Sequence, residues 1–494
     1  MNVCMFVSGM AVLVLEIVGA ALIRPFIGVG LFVWSSMIAV TLAALAAGYL
    51  LGGRWTRDLT GPDELERRFF RAAFLAGASM IVLPWLTAPV LRAVESLDLR
   101  VASLVSAFLF TPSLILLGSL TPMAVALCVR AGSSAGPAAA RLFAISTMGG
   151  FVSALASGLW LLAVASAPAV LQGTGILLMV AAFGSPGGIG RMRGPRMLGL
   201  SLSLAVLGAS AYPAFHRRPE QVVHQRQTVG GKVQVVDRNA ERWLLVDGAI
   251  QGRERIADGA PTFEYVTLIG GLPARLAASP ANALMIGLGA GTLADRLASA
   301  GVRVTAVDIH AFMPEIASRY FKFDAVRSRV VLMDGRVYLR RASEDFDLVV
   351  FDAYNAYDLP DHLMTLETFR LVRRRLRPGG VFALNVVTLA EPYRLAPKDA
   401  RASDAIGTTL RAAGFESVES LMVGTPGWVG NLIFLASDRP VAPCLTDRIQ
   451  AIHSNPGEIL RDGSRKMTYW EIDSATAWRN EAYAVFGIKI LLGI

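Results

Sequence analysis

A bundle of membrane-spanning α-helices, followed by a small β layer and then an α/β Rossmann-like sheet, is the fold class this chain predicts. Three observations carry it. The chain is 54% hydrophobic and only 17% charged, against about 25% charged in soluble domains. Residues 1–213 hold almost no Asp or Glu outside two loops, whereas 214–494 have ordinary globular composition. Third, residues 283–308 read as strand, glycine turn, helix, strand and terminal acid, the nucleoside-binding half of a doubly wound sheet. The expected domains are a transmembrane region at 1–213, a β layer at 214–275, a nucleoside-binding domain at 276–445 and a tail at 446–494 that carries no readable signal.

Apolar segments long enough for a hydrocarbon core of about 30 Å lie near 3–23, 30–52, 72–91, 101–129, 142–165, 167–184 and 196–213, the last two short. They are rich in small residues, such as Ala43, Ala44, Ala47 and Gly48 in the second and Gly149, Gly150 and Gly158 in the fifth. Small residues let membrane helices approach closely. Glu16 is the only acid in the first segment, a costly group at membrane depth. It is open to a functional role or to simple pairing. The first segment lacks a basic leader and a small-residue cleavage site, so it reads as a retained span.

Arginines concentrate in alternate loops: Arg54, Arg57, Arg67, Arg68 and Arg71, then Arg130 and Arg141, then Arg191, Arg193 and Arg196. The positive-inside rule places these loops and the N-terminus in the cytoplasm. Seven crossings would put the soluble half outside, so one of the last two segments is expected not to cross. The chain is then an integral protein of a bacterial-type inner or plasma membrane, its soluble half facing the cytoplasm.

In the soluble half, Val233–Asp237 and Arg242–Asp247 alternate as strands around Arg238-Asn239-Ala240, and Tyr265–Leu272 reads as a helix. Beyond Asp308, helices are expected at 311–321, 365–376 and 403–413. Strands are expected at 329–333, 347–351 and 381–387, with a closing hairpin of 417–423 and 431–436. Ligands of such sheets sit beyond the carboxyl ends of the strands. The turn Gly287, Gly289 and Gly291 lies there, as do Asp308, Asp334-Gly335, Asp352 and, in the next loop, Asp358 or Asp361. Each acid alone reads as a helix cap. Together they describe a pocket for a polar, cationic ligand.

Through these residues the soluble half resembles the spermidine synthase (polyamine aminopropyltransferase) family, whose sheet is of methyltransferase type. The matching phrases are Leu245–Gln251, Phe263-Glu264-Tyr265, Gly287–Thr292, Asp308, Asp334–Leu339 and Asp347–Asp352. Leu13–Glu16, Gly48–Arg54 and Leu359–Glu367 resemble the membrane-fused branch of the family. The resemblance implies transfer of an aminopropyl group from decarboxylated S-adenosylmethionine to a small-molecule amine, with release of methylthioadenosine. It implies that Asp308 holds the ribose and Asp334 the adenine amino group. Asp352 serves as base beside Tyr354, while Gln251, Tyr265, Asn355 and His362 line the site.

Three positions depart from the family: Ala290 and Asn355 stand where it carries acids, and Val266 where it carries Gln. Losing a carboxylate partner for a buried ammonium costs about 2–5 kcal/mol. S-adenosylmethionine itself is therefore open as donor, since an acid at 290 would repel its carboxylate. Two other readings also stay open: a methyltransferase, and a transporter or sensor that binds polyamine or nucleoside without chemistry. The net charge of +9 is scattered without basic-aromatic clustering, so no nucleic-acid partner is expected. Cys4, Cys128 and Cys444 lie far apart and suggest neither a disulfide framework nor a metal site. The lipid bilayer is the expected partner, with a homodimer left open.

Overall fold

The computed structural model describes all residues except 28–30, 58–61, 95–96, 98, 163–164, 184–220, 229–230, 277–279, 355–358, 392–393, 396, 425–428, 442–448, 453, 463–466, 468–471 and 493–494. The chain divides into two compact units. One comprises Met1–Pro219, Arg226–Gly231 and Ile488–Ile494; the other Glu220–Gln225 and Lys232–Gly487.

The first unit is helical: α1 (Asn2–Ile27), α2 (Leu31–Trp55), α3 (Pro62–Ala93), α4 (Leu99–Ala107), α5 (Thr111–Arg130), α6 (Ala135–Ala156) and α7 (Ala167–Phe183). Among the described residues, five stretches are long and apolar enough to cross a membrane: Asn2–Ile23, Val33–Trp55, Asp63–Thr87, Val101–Arg130 and Ala135–Leu161. Three boundaries differ from the sequence expectation. The third helix begins at Pro62 rather than near 72, so Arg67, Arg68 and Arg71 lie within α3 rather than in a loop. The segment near 101–129 is broken into α4 and α5 by a 3-10 turn at Phe108–Phe110, where Pro112 opens the second helix. The fifth span begins at Ala135 rather than 142, so Arg141 lies within a helix rather than in a loop. The sixth, α7, is a shorter apolar helix, and the seventh segment, 196–213, lies outside the described residues.

Glycines set the helix contacts in this unit. A Cβ on Gly149 of α6 would stand 2.0 Å from the Phe6 carbonyl oxygen of α1. One on Gly48 of α2 would stand 2.4 Å from that of Ile115 in α5. Backbones this close are the packing that small residues permit. Gly158 differs from the expectation, since its Cβ would meet open space. A hydrogen bond ties the first of these pairs: the Ser153 hydroxyl of α6 donates to the Met10 carbonyl of α1 at 3.1 Å.

An antiparallel layer follows the helices, made of β1 (Val222–Thr228), β2 (Gly231–Arg238), β3 (Glu241–Val246) and β4 (Ala249–Arg255), in sequence order. Asn239 and Ala240 both take positive φ, 52° and 63°, to make the tight turn between β2 and β3. After α8 (Glu264–Gly270) come β5 (Asn282–Ile286), α9 (Thr292–Ser299), β6 (Arg303–Asp308), α10 (Met313–Tyr320), β7 (Ser328–Leu332), α11 (Gly335–Arg341), β8 (Phe346–Phe351), α12 (Leu366–Arg375) and β9 (Leu376–Glu391). The short β10 (Arg394–Leu395) pairs antiparallel with β9. Then follow α13 (Pro397–Ala412), β11 (Ser417–Val423) and β12 (Val429–Ser437), an antiparallel pair.

With β13 (Ile449–Ala451) at one edge, the main sheet runs β13-β11-β12-β9-β8-β5-β6-β7, parallel from β9 to β7. Its strands alternate between two cores. Ala283, Met285, Leu348 and Val350 pack on one face, and Leu284, Ile286, Val349 and Phe351 on the other. Covered on both faces, such strands read as continuous apolar runs, as Asp347–Phe351 does. The sheet runs on past residue 445: β13 (Ile449–Ala451) pairs with β11, and α14 (Ile472–Leu492) closes the chain.

Candidate functional site

The first parallel strand, β5, ends in a turn whose backbone only glycine adopts readily. Gly287 has φ +94°, and a Cβ there would lie 2.0 Å from the Asp352 carbonyl oxygen. Gly291, φ +79°, starts α9, where a Cβ would strike the Phe323 ring at 2.6 Å. The turn and the carboxyl ends of β6, β7 and β8 border a cavity of about 520 Å³, within the range of small-molecule sites. Gly287, Gly289, Asp308, Asp334, Gly335 and Asp352 all line it, as do Gln251, Tyr265, Tyr354 and His362. Gly291 stands behind the wall as the start of its helix.

Asp308 closes β6 and locks the turn. Its Oδ2 accepts the Leu288 N–H at 2.9 Å and its Oδ1 the His310 N–H at 2.8 Å. Burial pushes its carboxyl up, while the His310, Leu288 and Gly289 N–H groups work against that rise. Asp334 caps α11 by accepting the Val337 N–H at 2.9 Å, and its other oxygen meets His362 Nε2 at 2.9 Å. Burial raises Asp334, but the Val337 N–H and His362 outweigh it and hold the carboxyl below its ordinary value.

Asp352 sits one residue beyond β8 in a network of uncharged donors. Tyr265 donates its hydroxyl to Oδ2 at 3.0 Å and Asn385 its amide to Oδ1 at 2.8 Å. Asn385 in turn accepts from the Asn431 amide at 2.9 Å. Burial raises the Asp352 carboxyl, and the two donors offset only part of the rise. Tyr354 receives the Val387 N–H on its hydroxyl and presents its ring edge-on to Trp478, 5.4 Å between centroids.

Asn355 and Asp358 lie outside the described residues. Asp361 starts a 3-10 turn, and among the described residues it does not line the cavity. Of the departures from the family pattern, Ala290 and Val266 line the cavity and are 4% and 5% exposed, so apolar side chains do replace polar ones in its wall. Sequence reasoning missed Asn385, Asn431, Trp478 and Glu481, all in the wall. Asn385 carried a usable signal, an amide inside the buried run Phe382–Val387, where an unbonded polar group is costly. Among the described residues, no group of three His, Cys, Asp or Glu side chains is placed to hold a metal ion.

Residues 283–380 match the family described as a methyltransferase domain. Polyamine aminopropyltransferase 2 of Pseudomonas aeruginosa is 30% identical over 257 residues, covering 49% of this chain and 70% of that protein. A polyamine aminopropyltransferase of Vibrio vulnificus is 33% identical over 120 residues, 23% of this chain and 40% of that protein. The chain thus spans most of the first relative but less than half of the second. A solved structure of a probable spermidine synthase from Corynebacterium glutamicum is 17% identical. It aligns with a TM-score of 0.42, over 49% of this chain and 97% of that one.

Proposed function

The chain belongs to the polyamine aminopropyltransferase (spermidine synthase-like) family, and from that premise we propose that it transfers an aminopropyl group from decarboxylated S-adenosylmethionine to an amine. Asp308 takes the ribose hydroxyls and Asp334 the adenine amino group, with Gln251, Gly289 and His362 beside them. The amine is held against Asp352, with Tyr265 and Tyr354 around it. Its lone pair attacks the aminopropyl carbon on the sulfonium. The carbon–sulfur bond breaks, its electrons stay on sulfur as neutral methylthioadenosine, and the amine proton passes to Asp352.

One observation carries this reading: a half-buried carboxylate held by two neutral donors, Tyr265 and Asn385, beside the glycine turn. No cation neutralises it among the described residues, and burial raises its carboxyl, which suits both an incoming ammonium and acceptance of a proton. The test is product analysis with labelled donor. Methylthioadenosine supports the proposal. S-adenosylhomocysteine instead indicates the methyltransferase reading, which the match at 283–380 and Ala290 favour.

The apolar helices make the enzyme a membrane-anchored one in this reading, with its sheet unit on the cytoplasmic side where adenosyl donors are made. A cysteine at Val326, 95% exposed, in a variant lacking the natural cysteines, is expected to resist impermeant thiol reagents until cells are opened.

A further inference from the structure

The wall of the cavity contains a carboxylate that neither the glycine turn nor the strand ends supply. Glu481 of α14 lines it three residues on from Trp478, on the same side of the helix. The helix is fixed there by two edge-on ring contacts, Trp478 on Tyr354 at 5.4 Å and Phe486 on Trp243 at 5.1 Å. Trp478 and Trp243 are 6% and 7% exposed, so this is packed structure and not a loose terminus.

Glu481 is half-buried, and among the described residues it makes no hydrogen bond or ion pair. Burial raises its carboxyl, and the Arg253 charge only partly opposes that. Arg253 is otherwise engaged. Its guanidinium lies over the Trp243 and Phe263 rings at 4.9 and 4.5 Å, donates to the Thr262 carbonyl at 3.2 Å and faces Glu241 at 3.8 Å. A half-buried carboxylate without a hydrogen-bonded partner is a setting that gains from an arriving cation. The wall needs one, because Ala290 and Val266 offer an ammonium nothing.

We propose that Glu481 binds the distal ammonium of a polyamine acceptor, an acid that α14 brings to the cavity wall from outside the sheet. The inference rests on the transferase reading for which molecule is the acceptor. The ammonium site itself is testable without turnover. Titration calorimetry with methylthioadenosine present compares putrescine with butylamine, which has the same carbon chain and a single ammonium. Glu481→Gln is expected to weaken putrescine about 10- to 100-fold, leave butylamine unchanged and keep methylthioadenosine affinity, which reports an intact fold. Glu481→Asp is expected to recover part of the loss, so a misfolded Gln variant does not end the test. Equal putrescine affinity in the two proteins, or no putrescine binding to the unsubstituted one, overturns the inference. If putrescine binds through Glu481 but no methylthioadenosine is ever released from labelled donor, the ammonium site stands and the transferase reading falls.

Discussion

Two parts of one cavity wall are built in opposite ways. The part formed by the glycine turn, Asp308 and Asp334 is local: its acids are satisfied by backbone N–H groups within three residues or across one strand crossover. The part around Asp352 is assembled from side chains far apart in the chain: Tyr265 lies 87 residues away, Asn385 33, and Asn431 46 beyond that. Backbone donors cannot drift, so the first part is rigid and tied to the shape of the sheet. The second depends on side chains that substitution can alter one at a time. A nucleoside that never changes suits the first construction, and a variable nucleophile the second.

Substitutions can break or sharpen that contrast. The largest effect is expected at Asp352. Asp352→Asn should lower methylthioadenosine release by about 10²- to 10⁴-fold while leaving methylthioadenosine binding intact. Retained turnover would remove Asp352 from the chemistry. Next comes Asp308→Ala, which strands two N–H groups of a buried turn. It should cost about 2 kcal/mol in denaturant unfolding and weaken methylthioadenosine, in contrast to Asp352→Asn.

Asn385→Ala tests the side-chain network through pH. Asn385 donates to the charged form of Asp352 and so draws its carboxyl down against burial. Without it the carboxyl rises further. Because the base works ionised, the acid limb of the rate profile should move to higher pH; a limb that stays in place would exclude Asp352 as the titrating group. The smallest effect is expected at His362, whose contact with Asp334 joins side chains 48% and 28% exposed. Solvent screens such a pair, so His362→Asn should change donor affinity by less than about fivefold.

The same contrast decides how much was legible in the sequence. The strand at 283–286, the spaced glycines and Asp308 are adjacent in the chain, so their pattern states their geometry. Asp334 and Asp352 follow the same rule, being within two residues of a strand end. Asn385 and Asn431 are single amides in apolar strands, and only their register across β9 and β12, with Ile433 opposite Asn385, shows that they meet near Asp352. The C-terminal helix was silent. Ile472–Leu492 mixes Trp478, Arg479, Glu481 and Lys489 with apolar residues, and no local spacing marks which of them faces a ligand. In the helical unit, richness in small residues correctly implied close packing at Gly48 and Gly149, yet could not separate them from Gly158, which touches nothing.

The missing side chain at Gly287 has a practical corollary. With the Asp352 carbonyl in the space its Cβ would fill, the glycine turn and the chain at Asp352 form a single mechanical part, and neither can be redesigned alone. Anyone retargeting this scaffold to new nucleophiles should leave that part untouched and diversify α14 instead.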